Sequence, residues 1–252
     1  MVALLHTRMP KSTAAIIALI ITLSTTSGWA RGWTRLLTKN GIEVSKRSEP
    51  KRELPSFKGV GIVNGNMYQI LAVLRDGKRR REWMSKSGVT RVLSRKSVFE
   101  AVSYQQTLAP WPVSDREVVM HTNVYLKREP LEMIATFDDV KWTKPIRGID
   151  RDKFVLMPYL RGYWRLVPKG ENRTEVTYMV NTDPGGLLPN WVIRRVTKDI
   201  PYWTLMGLRK QVKRSANRYQ DFLSQYDPSR APEGQVKATP PEPPASVLKR
   251  LH

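Results

Sequence analysis

Cysteine is absent from the 252 residues, which excludes disulfides, thiolate nucleophiles and thiolate metal sites, so the fold has to hold by packing alone. Histidine is almost as scarce. His6, His121 and His252 lie too far apart in sequence to suggest a metal pair, and a Ser-His-Asp arrangement would rest on His121 alone. His121 therefore reads as a structural or surface residue. A phosphate loop is missing too, since Gly185-Gly186 lacks the spaced third glycine and the lysine. Asp138 and Asp139 are neighbours, so on a strand they face opposite ways and make a poor acid–base pair. The chain is accordingly expected to be no enzyme and to use neither cofactor nor metal.

Long apolar runs are also lacking: Ala14 to Ile21 is well short of the ~20 residues a membrane-spanning helix needs. Arg8 and Lys11 before an apolar stretch, with Ser27-Gly28-Trp29-Ala30 after it, read instead as a secretory signal over 1–30, cut after Ala30. That places the mature chain outside the cytoplasm, in the periplasm of a bacterium.

Acidic residues are few: 22 against 43 Lys and Arg, a net charge of +21. Such a surface attracts anions, and export favours an anionic membrane surface over nucleic acid. The run Lys78 to Arg81 reads first as a solvated loop. Hydrophobic residues make up 40%, enough for a sizeable core in one domain, expected over 31–226 and as a monomer. The segment 227–252 carries six prolines and few large apolar residues, and reads as a flexible or extended tail.

Along the chain, Trp33 to Lys39 is expected as a short leading helix and Asn40-Gly41 as a turn, followed by strands at Ile42–Ser45 and Phe57–Val63. Asn66 caps a helix carrying Ile70, Leu71, Val73 and Leu74. From Val89 the pattern changes to period two, with strands near Thr90–Ser94, Val98–Thr107, Glu117–Leu126, Leu131–Val140, Phe154–Val167 and Thr174–Asn181. Phe154, Leu156, Leu160, Trp164 and Leu166 are expected on one face of the fifth of these. Short turns make this an antiparallel sheet. Pro110-Trp111-Pro112 cannot continue a ladder and forms a shaped loop carrying a large apolar ring. A long helix starts near Asn190 and runs to Tyr226, bent or interrupted at Pro201, with an apolar stripe that includes Trp203, Leu208 and Val212. Its other face is basic, with Arg194, Arg195 and Lys198 near the start.

Taken together, Pro55 to Gly61, Arg81-Glu82-Trp83, Tyr104-Gln105, Pro110 to Arg116, Gly162 to Pro168, Thr174 to Tyr178 and Asp183 to Trp191 resemble, in that order, a START domain over roughly Trp33 to Tyr226. The resemblance implies an α+β helix-grip fold, a curved antiparallel sheet around the C-terminal helix, with an internal cavity for one lipid. Phospholipid is the first expectation and a sterol-like lipid the second. Cavity residues would be Tyr104, Met120, Phe137, Leu160, Trp164 and Tyr178 from the sheet with Trp203 and Met206 from the helix. Trp111 and Pro112 would form the gate, and Arg194, Arg195 and Lys198 would meet the membrane surface. Met84 departs from the family, which commonly has an acid after that Trp. Rival readings are a cyclase- or hydrolase-type enzyme in the same cavity and a basic module that binds anionic polymers on its surface.

Overall fold

Asn40 and Gly41 both take left-handed backbone, with φ of 52° and 64°, as a two-residue type I′ hairpin turn requires. They join β1 (Thr34–Lys39) to β2 (Ile42–Arg47). The leading helix expected over Trp33 to Lys39 is therefore a strand, because the turn pairs its flanks and so short a helix has little stability of its own. The computed structural model describes residues 32–50, 52–186, 188 and 190–251, with backbone alone over 190–198. The expected signal segment, 1–30, lies outside the described residues.

β3 (Ser56–Asn64) leads into α1 (Met67–Arg75). Asn66 accepts from the Gln69 N–H at 2.9 Å while the Gln69 side chain takes the Asn66 N–H at 3.1 Å, a capping box. A short 3-10 helix, Gly77–Glu82, follows. The remaining strands are β4 (Ser87–Ser97), β5 (Glu100–Thr107), β6 (Arg116–Lys127), β7 (Glu132–Asp139), β8 (Val155–Leu156), β9 (Tyr159–Pro168) and β10 (Arg173–Asp183). They form one sheet in the order β1-β2-β3-β10-β9-β7-β6-β5-β4, every neighbour antiparallel, with β8 set parallel beside β6. The strand expected over Phe154–Val167 is split, since Pro158 has no N–H for a ladder. Leu156 is thereby turned to solvent, 56% exposed, and away from Leu160 and Trp164.

α2 (Asn190–Arg214) crosses the inner face and remains helical through Pro201. Gly59 makes this possible: a Cβ there would stand 3.0 Å from both Leu205 Cδ1 and Pro201 Cβ. The buried stripe of α2 is Tyr202, Leu205, Leu208 and Val212, with Thr204 and Gln211. Trp203 is off that stripe and 54% exposed. The helix does not run on to Tyr226. The Ser215 hydroxyl bonds the Gln211 carbonyl at 2.6 Å, competing with the backbone, and α3 (Gln220–Tyr226) starts anew after the turn.

The segment after Tyr226, expected to be loose, is held against the outer face of the sheet. β6 overhangs its neighbour β5, leaving the Leu126 N–H free, and the Pro241 carbonyl takes it at 2.9 Å. Arg128 pairs with Glu242 at 3.2 Å. After the turn of α4 (Ala245–Leu248), Val247 is buried and Arg250 reaches Asp138 at 2.8 Å. The prolines keep the segment extended, and extension is what lets it span the strands.

Candidate functional site: a divided cavity under the helix

Between the inner face of the sheet, α1 and the 3-10 helix lies a cavity of about 110 Å³. Its floor is aromatic. Trp164 stacks on Tyr178 with ring centres 4.3 Å apart, Phe137 stacks beyond it at 6.2 Å, and Trp83 meets Trp164 edge-on at 6.1 Å. Gly162 is where it is because a Cβ would stand 2.3 Å from the Phe137 ring. A second chamber of about 120 Å³ continues toward the Pro110 loop, lined by Phe57, Leu108, Met157, Val180, Leu188 and Ile200 among others. Tyr178 faces the first chamber and Val180 and Thr182 the second, so the two follow one another along the same face of β10.

Of the expected cavity residues, Met120, Phe137, Leu160, Trp164 and Tyr178 line the first chamber together. Three do not. Tyr104 alternates to the outer face, fully buried with Val119 and Ile146, and its hydroxyl accepts from Gln106 at 3.0 Å. Its neighbours Ser103 and Gln105 face the cavity instead. Burial pushes the Tyr104 phenol up to about 12. Trp203 points to solvent, and Met206 packs on the core edge beside Arg209, off the chamber wall.

The 3-10 helix supplies what the sequence pattern hid. Leu74, Gly77, Arg80 and Trp83, at steps of three, all line the cavity, as the three-residue turn dictates. Arg80 donates to Gln105 Oε1 at 2.8 Å and to the Leu74 carbonyl at 2.9 Å. Among the described residues no carboxylate lies within ion-pair distance of it, and burial lowers its pKa. Its Nε, the Trp83 Nε1 and the Thr90 Oγ1 are enclosed without a partner. Met84 adds a thioether to the same wall.

At the mouth, the Asp115 carboxylate accepts from the Ala109 N–H at 2.9 Å and draws the loop closed. Trp111 stands 90% exposed on it, and Pro112 is exposed beside it. Leu108, 40% exposed, and Leu156 extend the apolar rim. Arg116 bonds the Ser114 carbonyl on this loop and the Gly185 carbonyl, at 3.4 Å, across the mouth. The side chains of Arg194, Arg195 and Lys198 lie outside the described residues.

On the outer face His121 meets Glu100 at 3.0 Å, and Asp138 binds Arg161 and Arg250. Asp139, facing inward, accepts from the Leu160 N–H at 2.8 Å. These groups serve the sheet. Among the described residues no cluster of His, Asp and Glu could hold a metal ion.

No family model matches the sequence. An uncharacterized protein of Pseudomonas aeruginosa is 29% identical over 185 residues, 73% of this chain and 89% of that one. A solved STAR-related lipid transfer protein from Xanthomonas axonopodis superposes with a TM-score of 0.64 at 28% identity, covering 72% of this chain and 99% of that one. The fold is that of a START domain. Human StAR-related lipid transfer protein 5, at 20% identity, gives a TM-score of 0.65 over 75% of this chain and 89% of that one. Within the START frame, the gripped element is α2, which packs chiefly on β3 with β2 and β10 beside it.

Proposed function

We propose that this START domain binds one lipid beneath α2, shields it from water and exchanges it with membranes, with an anionic head group seated on Arg80. One observation carries the reading: the Arg80 guanidinium, its Nε enclosed and with no carboxylate within ion-pair distance among the described residues, faces a cavity with an aromatic floor whose wall also holds the unpartnered Trp83 Nε1 and Thr90 Oγ1. An enclosed charge without a counter-charge is costly, and a phosphate or carboxylate on the ligand would supply the missing partner with charge-assisted hydrogen bonds. Both solved relatives cited above carry lipid transfer in their names. Burial of an acyl chain contributes ~0.8 kcal/mol per CH₂, so the lining sets affinity and Arg80 sets head-group choice.

A chamber of 110 Å³ holds about eight non-hydrogen atoms at the space one water-sized probe takes. A two-chain phospholipid therefore enters only as the aromatic stack and the mouth move apart. Trp111 and the rim around it suit the acyl boundary of a bilayer, with Arg194, Arg195 and Lys198 near the phosphates, each charge worth ~1 kcal/mol at an anionic surface. An enzyme in this cavity would need a base there. Among the described residues of the wall the one carboxylate, Glu100, is turned outward to Lys96 and His121. Export by the first thirty residues would put the exchange on the far side of the inner membrane.

The test is to incubate the protein with vesicles containing phosphatidylglycerol, diacylglycerol or sterol and to weigh the complexes by native mass spectrometry. The expected result is one phosphatidylglycerol per chain, reduced about tenfold to a hundredfold in affinity by Arg80→Met, the loss of a charge-assisted bond. A protein that takes up no lipid from any vesicle overturns the reading, and equal uptake of phosphatidylglycerol by both proteins overturns the role of Arg80.

A further inference from the structure

Among the described residues around the first chamber, the two that are solvent-exposed are both on β4: Val92, 41% exposed, and Arg95. β4 is the last strand of the sheet, paired on one side alone. Its pairing with β5 slips at three places, between Ser87 and Thr90, Val92 and Ser94, and Arg95 and Ser97, each putting one extra residue into β4. Without the middle slip, Arg95 would face the outside of the sheet, because Val92 faces the chamber and three steps reverse the side. The bulge re-aims it. Arg95 thus lies opposite Ala101, on the chamber side, and lines the chamber together with Arg75 at the C-terminal end of α1.

Arg75, the last residue of α1, lies across that opening. Its Nε donates to the Val98 carbonyl at 3.0 Å and its guanidinium lies 4.5 Å over the Phe222 ring. Burial, and next the charge of Arg95, lower its pKa to about 10. Among the described residues neither arginine has a carboxylate within ion-pair distance. Two like charges are therefore held together at the surface opening of a greasy chamber, an arrangement that weakens the protein unless an anion visits it.

We propose that the seam between β4 and the α1/3-10 segment is a second entrance to the chamber, with Arg75 and Arg95 as a clamp for the phosphate or carboxylate of an entering lipid. This rests on the lipid-carrier reading but separates entry from the Trp111 loop. The ligand class is a lipid with an anionic head, which the clamp receives at the surface and Arg80 receives inside. The seam is closed by contact of the 3-10 helix with β4: a Cβ on Gly77 would stand 3.8 Å from Thr90 Cβ and 3.1 Å from its Cγ2. That separation is the one a disulfide takes between its Cβ atoms, and the absence of cysteine leaves an engineered pair with no competing thiol.

The experiment loads the full chain with dodecyl phosphate, dodecanoate or dodecanol and follows rate and occupancy, for the unaltered protein, Arg95→Glu and the pair Gly77→Cys/Thr90→Cys. Arg95 is exposed, so its replacement leaves the fold standing even where the cysteine pair does not. Expected are a loss of about tenfold or more in loading rate for the two anions with Arg95→Glu, and none for dodecanol. The oxidised cysteine pair should load at least about tenfold more slowly than the same protein after reduction. A loss confined to dodecyl phosphate assigns the clamp to phosphate lipids, and one confined to dodecanoate to fatty acids. Unchanged loading of both anions into Arg95→Glu, or wild-type loading into the oxidised pair, overturns the second entrance while leaving the carrier reading in place. Failure of the unaltered protein to load any of the three overturns the carrier reading itself.

Discussion

At the scale of single residues, Arg80 and Gly207 set opposite expectations. Arg80→Met removes an enclosed charge that has no carboxylate within ion-pair distance among the described residues, only the more distant Asp76, so the ligand-free protein should keep its unfolding free energy or gain about 1 kcal/mol while losing anionic lipid. A denaturant titration beside the binding assay checks both; a loss of more than about 1 kcal/mol would mean that Arg80 serves chiefly to hold Gln105 and the Leu74 carbonyl. Gly207 is where α2 passes the Trp83 backbone, and a Cβ there would stand 1.9 Å from the Trp83 carbonyl oxygen. Backbone cannot step aside as a side chain does, so Gly207→Ala should cost at least about 2 kcal/mol, read as a fall of several degrees in Tm. Trp111→Ala is the contrasting case. With the ring 90% exposed, Tm should not move, while extraction of lipid from vesicles should slow; unchanged extraction would sink the membrane role of the loop.

At the scale of elements, legibility followed periodicity and chemistry. The antiparallel strands, the Asn66 cap and the Pro-Trp-Pro loop stood where alternation, cap and proline placed them. The first strand was missed because six residues hold no period that overrules the Asn-Gly turn behind them. In the helix, Trp203 is expected on the apolar stripe, but counting back from Leu208 by threes and fours reaches Leu205, Thr204 and Pro201 and passes it by. Tyr104 failed in a similar way: on a strand buried on both faces, apolar character does not say which face is the cavity. Arg80 was hidden in a basic run, and only the three-residue turn of its helix singles it out. The C-terminal strap was invisible because its anchors, Pro241, Val247 and Arg250, are spaced by an extended chain without period. It brings its own expectation: Arg250→Glu sets like charges face to face at Asp138, so hydrogen exchange should quicken at Leu126 and through 240–251 while lipid loading stays unchanged. No change in exchange there would mean that the strap is held by its other contacts.

At the scale of the whole molecule, the excess of base leaves many cations without acids, and the proposed membrane contact should show it. Attachment to phosphatidylglycerol vesicles should weaken steeply between low salt and physiological salt as the screening length shortens, with little attachment to neutral vesicles; salt-insensitive attachment would shift the weight to Trp111 alone. The ten-stranded sheet is open at both ends, ending in β1 on one side and β4 on the other. Unpaired strands of that kind invite a neighbour's strand, and from there growth without limit. Here each terminal strand is out of step with a straight partner: β1 slips between Arg35 and Leu37, and β4 slips three times. The irregularities that turn Arg95 toward the chamber thus also spoil the edge as a template: deleting Leu93 would keep Ser94 opposite Val102 and Arg95 opposite Ala101, so the clamp would stay in place while the straighter edge made the molecule stick more readily to its own copies.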